Sequence, residues 1–181
     1  EAQKRRWLPA IARGETVCAL AITAPGTGSD MAALTTRADR DGDHWVISGS
    51  KIFITNGVHG DLYFVAARTR DHGPQHQQLS QFLVERGTAG FTVSRALAKT
   101  GMWASDTAAL SFAEVRVPAG NLLGEEGRGF YQLAAGLQHE RLMAAVLCVA
   151  APQRALEDCQ AYMRHREAFG VVAGAAGPAG D

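Results

Sequence analysis

The segment Ala21-Ile22-Thr23-Ala24-Pro25-Gly26-Thr27-Gly28-Ser29-Asp30 holds the densest set of residues suited to binding a ligand. It follows an apolar run, Val17 to Ile22, that reads as a strand, and it sets two glycines and a proline where the backbone must turn. A strand that stops in a loop of small residues exposes backbone N–H groups without side-chain cover. A planar ring or a phosphate can meet such a loop at close range. Gly-rich turns also occur simply as turns, and the segment alone leaves both readings open. Gly26-Thr27-Gly28 begins a GxG, but the third glycine of a dinucleotide fingerprint is missing and the flanks read as strands rather than βαβ, which argues against a Rossmann site.

Glu140 is the second candidate. On a helix it shares a stripe with Leu133, Leu137, Ala144 and Leu147, all apolar. Such surroundings remove hydration from a carboxylate and are expected to raise its pKa toward neutrality. That is what a general base needs to take a weakly acidic proton. The other reading pairs Glu140 with Arg141 or with an arginine of another helix.

The elements that would position these residues fall into a helical start, a strand-rich middle and a helical end. Residues 1–15 read as the end of a helix, with Trp7, Leu8 and Ile11 at helical spacing and Gly14 as the stop. Residues 16–120 switch to a period of two. Candidate strands are Val17–Ile22, Ala33–Ala38, Trp45–Ser48, Lys51–Ile54, Leu62–Ala67, Gln81–Val84, Phe91–Ser94 and Ala108–Val117, with turn residues between them. About eight short strands with tight turns indicate a barrel or sandwich. Residues 121–170 return to helical spacing, and Pro152 is expected to break the pattern into two helices, the second over Gln153–Phe169. The fold class expected is α+β: a mainly antiparallel β-barrel followed by a helical hairpin. Residues 171–181 are Ala, Gly and Val with one Pro, too poor in large side chains to order themselves, and are expected to be disordered.

Composition bounds the partners. Lys+Arg and Asp+Glu number 18 each, so the formal net charge is zero and nothing argues for nucleic acid or an anionic membrane. No apolar run approaches about 18 residues, so no membrane span is expected. Cys18, Cys148 and Cys159 show no CxxC spacing and are expected as buried free thiols of a reducing, cytoplasmic compartment. His72 and His76 are four apart, but Gly73 and Pro74 between them exclude a shared helix face, so no metal site is expected.

Four further blocks join Ala21–Asp30 to make five: Lys51-Ile52-Phe53-Ile54-Thr55-Asn56-Gly57, Gly101-Met102-Trp103-Ala104-Ser105-Asp106-Thr107, Asn121–Phe130, and Arg166-Glu167-Ala168-Phe169-Gly170. In this order and spacing the chain, from about residue 1 to 170, resembles the acyl-CoA dehydrogenase family of flavoenzymes. The resemblance implies a middle β-barrel domain that binds FAD and acyl-CoA, followed by the start of a helical domain. It implies that the loop Leu20–Ser29 lines the flavin. Ile22 and Thr23 would meet the ring edge, Gly28 and Ser29 the linker or pyrophosphate, and Ser29 also the thioester. Phe53, Ile54 and Thr55 would cover the other side, with Phe53 standing where relatives commonly have tryptophan. Ala24 replaces a common glutamate. A plain core role for Phe53 and Ile54 is the alternative. Arg166 matches a residue that reaches the flavin pyrophosphate of a neighbouring subunit, the alternative being a solvated helix arginine.

The same resemblance makes Gln138-His139-Glu140-Arg141-Leu142 the segment that carries the α-proton base, Glu140, with Gln138 and Arg141 at the substrate. It implies α,β-dehydrogenation of an acyl-CoA thioester to a trans-2-enoyl-CoA, with electrons passing to an electron-transferring flavoprotein, in full-length homo-oligomers. Acyl-CoA oxidases and flavin monooxygenases share the barrel and remain alternatives. Relatives continue past residue 170 with more helix, so a truncated or frame-shifted product, inactive by itself, is also an expectation.

Overall fold

In the computed structural model, residues 1–175 are described, and the chain forms two compact units that divide between Leu133 and Ala134. The first opens with α1 (Ala2–Ala12) and continues with β1 (Cys18–Ala21), β2 (Arg37–Asp41), β3 (His44–Thr55), β4 (Leu62–Arg68), β5 (Leu79–Glu85), β6 (Phe91–Ala96) and β7 (Thr107–Pro118). These strands form one mixed sheet in the order β1-β4-β2-β3-β7-β6, with β5 along β4. β5 pairs antiparallel with the whole of β4, so β1 and the first residue of β2 share the other edge of β4, both parallel to it. The ladder from β2 through β6 is antiparallel.

The sheet curls, and its aromatic core shows why. Tyr63 on β4 meets Phe91 on β6 edge to face at 4.6 Å, although β2, β3 and β7 lie between those strands in sheet order. Phe91 in turn packs on Phe112 at 5.1 Å, and Trp45 on Phe82 at 5.2 Å. One apolar cluster therefore takes side chains from both ends of the sheet. Offset aromatic pairs of this kind add to the burial of their area. Tyr63 Oη donates to a carbonyl of the turn after β3, Gly57 or Gly60 (3.1 and 2.9 Å), which satisfies its polar tip inside the core.

The strand pattern of the sequence holds with three differences. Trp45–Ser48 and Lys51–Ile54 are one strand, β3, because Gly49 passes through at φ +141° instead of turning the chain back. Ala33 ends a 3-10 turn over Met31–Ala33, and β2 begins only at Arg37. The barrel is not closed by antiparallel pairs throughout, since β1 runs parallel to β4.

A single long helix, α2 (Gly129–Met163), starts in the first unit and makes up most of the second. Pro152 lies inside it, so the expected helical hairpin is one 35-residue helix. Pro152 removes one N–H donor, but runs of Ala, Leu, Gln and Glu on both sides favour helix strongly enough to continue through it. Its first turns are fixed in the first unit: Leu133 is buried with Leu34, Ala66 and Leu79. The side chain of Gln132 accepts from Gln81 and donates to the Leu123 carbonyl. From residue 138 to residue 167 every side chain is exposed. Cys148 and Cys159 are therefore exposed, not buried; Cys18 is half-buried, and burial pushes its thiol up. By length and mean hydropathy alone (1.2 over 18 residues) α2 reaches the measure of a membrane span, which the longest uninterrupted apolar run does not. Beyond the helix, β8 (Glu167–Ala168) pairs with β9 (Val171–Val172). The expected disorder from residue 171 thus meets a short ladder and a 3-10 turn over Ala173–Ala175; residues 176–181 lie outside the described residues.

A Cβ built on Gly49 would stand 2.9 Å from the Thr36 backbone, at a φ that other residues rarely adopt. Gly49→Ala is expected to destabilise the chain by about 2 kcal/mol or more through strain and overpacking. Urea unfolding should show a lower midpoint with an unchanged slope.

Candidate cofactor site

The loop after β1 is shaped by a tight turn. Ala24 N–H donates to the Thr27 carbonyl at 3.1 Å, and Thr27 N–H to the Ala24 carbonyl at 3.0 Å. Ala24 is buried, so a longer acidic side chain at this position would have to leave the core. At the tip of the turn and beyond it the surface is open: Gly26, Gly28 and Ser29 are exposed, and a Cβ at Gly26 or Gly28 would meet nothing within 4 Å. Among the described residues, two buried side-chain polar atoms have no partner, Trp45 Nε1 in the core and Thr27 Oγ1 in this loop. The Thr27 hydroxyl oxygen is itself closed off from solvent, so the surface a ligand would meet is the exposed backbone of Gly26, Gly28 and Ser29.

The neighbouring strand supplies a flat apolar face. In β3, Lys51 pairs with Leu110 and Ile54 with Ala108, so two residues, Ile52 and Phe53, oppose one residue of β7. This bulge puts Phe53 at φ +60°, a strained backbone for an aromatic residue, and turns its ring outward, 65% exposed. Thr55 is exposed as well. Ile54 is buried in the core, so its side chain is a wall of the barrel rather than a cover for a ligand. Leu20 on β1 is exposed, while Ile22 and Thr23 are half-buried.

The loop and the strand are tied together. Ile52 N–H donates to the Thr23 carbonyl at 2.9 Å, and the buried Lys51 Nζ donates to the Ile22 carbonyl at 2.7 Å. Burial pushes the Lys51 amine down to about 7 from its ordinary 10.5. Asn56, at φ +58°, donates through its side chain to the Cys18 carbonyl, and Asp106 accepts from Val58 N–H. Two of the sequence blocks, Lys51–Gly57 and Gly101–Thr107, therefore serve the same turn. The block Asn121–Phe130 seats α2: Gly127 N–H donates to the buried Ser80 Oγ, and a Cβ at Gly129 would stand 2.8 Å from the Ser80 backbone.

The structure thus brings Leu20, Ile22, Thr23, Gly28, Ser29, Phe53 and Thr55 to adjoining segments of one unit. Gln138, Glu140 and Arg141 are in the second unit, all exposed. The stripe Leu133, Leu137, Ala144, Leu147 exists on α2, but Ala144 and Leu147 are exposed, so this chain does not build the apolar surroundings expected of Glu140. Arg166 lies past the end of α2, its N–H donating to the Tyr162 carbonyl, and is not a helix residue. Neither the burial of Lys51 nor its bond to the loop was legible in the sequence, which placed Lys51 only at the start of a strand. Thr27 carried no signal beyond its place in the turn.

Exposed loop backbone and an exposed aromatic face beside it fit a group that is flat, apolar in its middle and polar at its edge. Residues 19–115 match the family description "Acyl-CoA dehydrogenase, middle domain", and residues 127–176 match "Acyl-CoA dehydrogenase, C-terminal domain". The chain is 44% identical over 172 residues to the mitochondrial long-chain specific acyl-CoA dehydrogenase of Sus scrofa, covering 94% of this chain and 40% of that protein. It is 39% identical over 175 residues to the mitochondrial isovaleryl-CoA dehydrogenase of Pongo abelii, with coverage of 96% and 41%. The crystal structure of an acyl-CoA dehydrogenase from Geobacillus kaustophilus superposes with a TM-score of 0.93 at 46% identity, over 97% of this chain and 47% of that one. The chain spans about two fifths of the length of the curated relatives it matches.

The lowered pKa of Lys51 has a measurable consequence. Between about pH 7 and 10.5 the unfolded chain holds one more proton than the folded one, so stability rises with pH across that window. The slope is expected to reach about 1.4 kcal/mol per pH unit. In Lys51→Met this component should vanish, as read from denaturant midpoints of parent and variant at pH 7, 8 and 9.

Proposed function

The chain belongs to the acyl-CoA dehydrogenase family, and from that premise we propose that its protein is an FAD-dependent enzyme that oxidises an acyl-CoA thioester to the trans-2-enoyl-CoA. The observation that carries this proposal is the loop-and-strand face itself: the exposed backbone at Gly26, Gly28 and Ser29 beside the outward Phe53 ring. Bound there, FAD would supply the acceptor for the β-hydride of the substrate. The Ile22–Thr23 backbone would meet the ring edge, Gly28 and Ser29 the linker or pyrophosphate, and Phe53 with Thr55 the ring face. Leu20 would pack along the ring's apolar side. Arg166 would reach a flavin pyrophosphate with its fixed fork of donors.

Glu140 is the proposed base for the pro-R α-proton. Its support is the Glu-Arg-Leu segment on one uninterrupted helix, with the carboxylate exposed and thus open to a ligand. Ser29, Gln138 and Arg141 are the proposed substrate contacts. An electron-transferring flavoprotein is the proposed acceptor, and homo-oligomers of the complete protein the proposed assembly. The apolar side of α2 is then a packing surface of a helical domain rather than a membrane span. A cytoplasmic location belongs to the same proposal, supported by three thiols with no disulfide. Oxygen consumption in place of flavoprotein reduction would move the reaction to the oxidase branch of the fold.

The test uses the complete protein. Its visible spectrum should show bound flavin that bleaches on addition of acyl-CoA under exclusion of oxygen. Glu140→Gln should bind FAD as the parent does and lose about 10²- to 10⁴-fold in kcat. A colourless protein that takes up no FAD refutes the cofactor; an equally fast variant refutes the base.

A further inference from the structure

Lys51 has no role in the function proposed above, yet it breaks the apolar pattern of β3 at the floor of the cofactor loop. Its side chain is fully buried, and its Nζ donates to the Ile22 carbonyl at 2.7 Å. Ile52 N–H donates to the next carbonyl, Thr23, at 2.9 Å. Two consecutive loop carbonyls are therefore held by two consecutive residues of β3. Between them lies the peptide formed by Ile22 C=O and Thr23 N–H. Its oxygen rests on the amine, while its N–H has no acceptor among the described residues.

In a trans peptide these two groups point in opposite directions, so fixing the oxygen fixes the direction of the N–H. Hydrogen bonds joined through one amide also polarise each other, so a donor on the oxygen makes the N–H a better donor. A buried amine is costly; burial alone depresses its pKa to about 7, and a methionine at this position would avoid that cost. Departures from local rules of this kind are expected where a site needs them.

We propose that Lys51 is a positioning residue that holds the Ile22–Thr23 peptide so that the Thr23 N–H is presented as a donor to the ring edge of bound flavin. This rests on the FAD reading of the site, and the test separates the two. Parent and Lys51→Met forms of the complete protein are compared by amide hydrogen exchange without flavin and by FAD titration through fluorescence quenching. In the variant the Ile52, Ala24 and Thr27 amides should exchange at least about tenfold faster, with Val65 and Leu110 unchanged. The FAD dissociation constant should rise at least about tenfold. Should Lys51→Met not fold, Lys51→Gln, which keeps a shorter uncharged donor, carries the same comparison with a smaller expected change. Exchange that quickens uniformly, or loop amides that do not respond, overturns the proposal. So does a loosened loop with unchanged FAD affinity, which leaves Lys51 a structural group only. A parent that binds no FAD overturns the cofactor reading itself and this proposal with it.

Discussion

The antiparallel pairing of β3 with β7 is the constraint on which the rest of the first unit depends. Side chains on a strand alternate between faces, and a slip of one residue moves every later side chain to the other face. Along β3, Trp45, Ile47 and Lys51 face inward. Strict alternation would then turn Phe53 in and Ile54 out. The bulge opposite Ala109 inserts one residue and reverses that, so Ile54 enters the core and Phe53 faces solvent. A second irregularity between Ile47 and Gly49 sets three steps of β7 against two of β3, with Glu114 at φ +52° on the β7 side. The ladder thus decides both which residues make the core and which face a ligand.

Much of this architecture was legible in the sequence because it follows from period and turn chemistry. Leu62–Ala67 and Ala108–Val117 alternate or run apolar between turn residues, and both are strands. The departures have local causes. Ser48-Gly49-Ser50 has the composition of a turn, yet the same glycine serves an extended strand that must pass close to Thr36. Pro152 ends helices in isolation, but here it is one lost bond within 35 residues of strong helix formers. Exposure of Cys148, Met143 and Leu147 could not be foreseen from helical spacing, which gives the apolar side of a helix without saying what covers it.

The site was legible in a different way. Its residue types came from the family blocks, since loops of Gly, Thr and Ser have many uses. What the structure adds is a physical division among those residues. Phe53 and Ile54 are neighbours in the same block with opposite burial, and only one of them can touch a ligand with its side chain. Asn56 and Asp106, in two different blocks, brace one turn through Cys18 and Val58. Their part is to hold the backbone that the ligand would meet.

The distribution of unmet polar groups and strain carries the last step. Most of the first unit obeys the ordinary rules of burial: Ser80 and Tyr63 are buried with their hydroxyls bonded, and Gln81 with its amide bonded. Around the β1 loop and the middle of β3 the rules fail together. Among the described residues Thr27 Oγ1 has no partner and the Thr23 N–H no acceptor, Lys51 is an amine in the core, and Phe53 holds a left-handed φ with its ring in water. Each departure costs free energy in the protein alone. A flat ligand with a hydrogen-bonding edge would relieve two of them at once, by covering the Phe53 ring and accepting from the Thr23 N–H. Trp45 Nε1 in the core and Glu114 on β7 show that unmet groups and strain occur elsewhere in the unit too, but the loop after β1 and the middle of β3 gather four such features, and that concentration supports the binding reading proposed for this face.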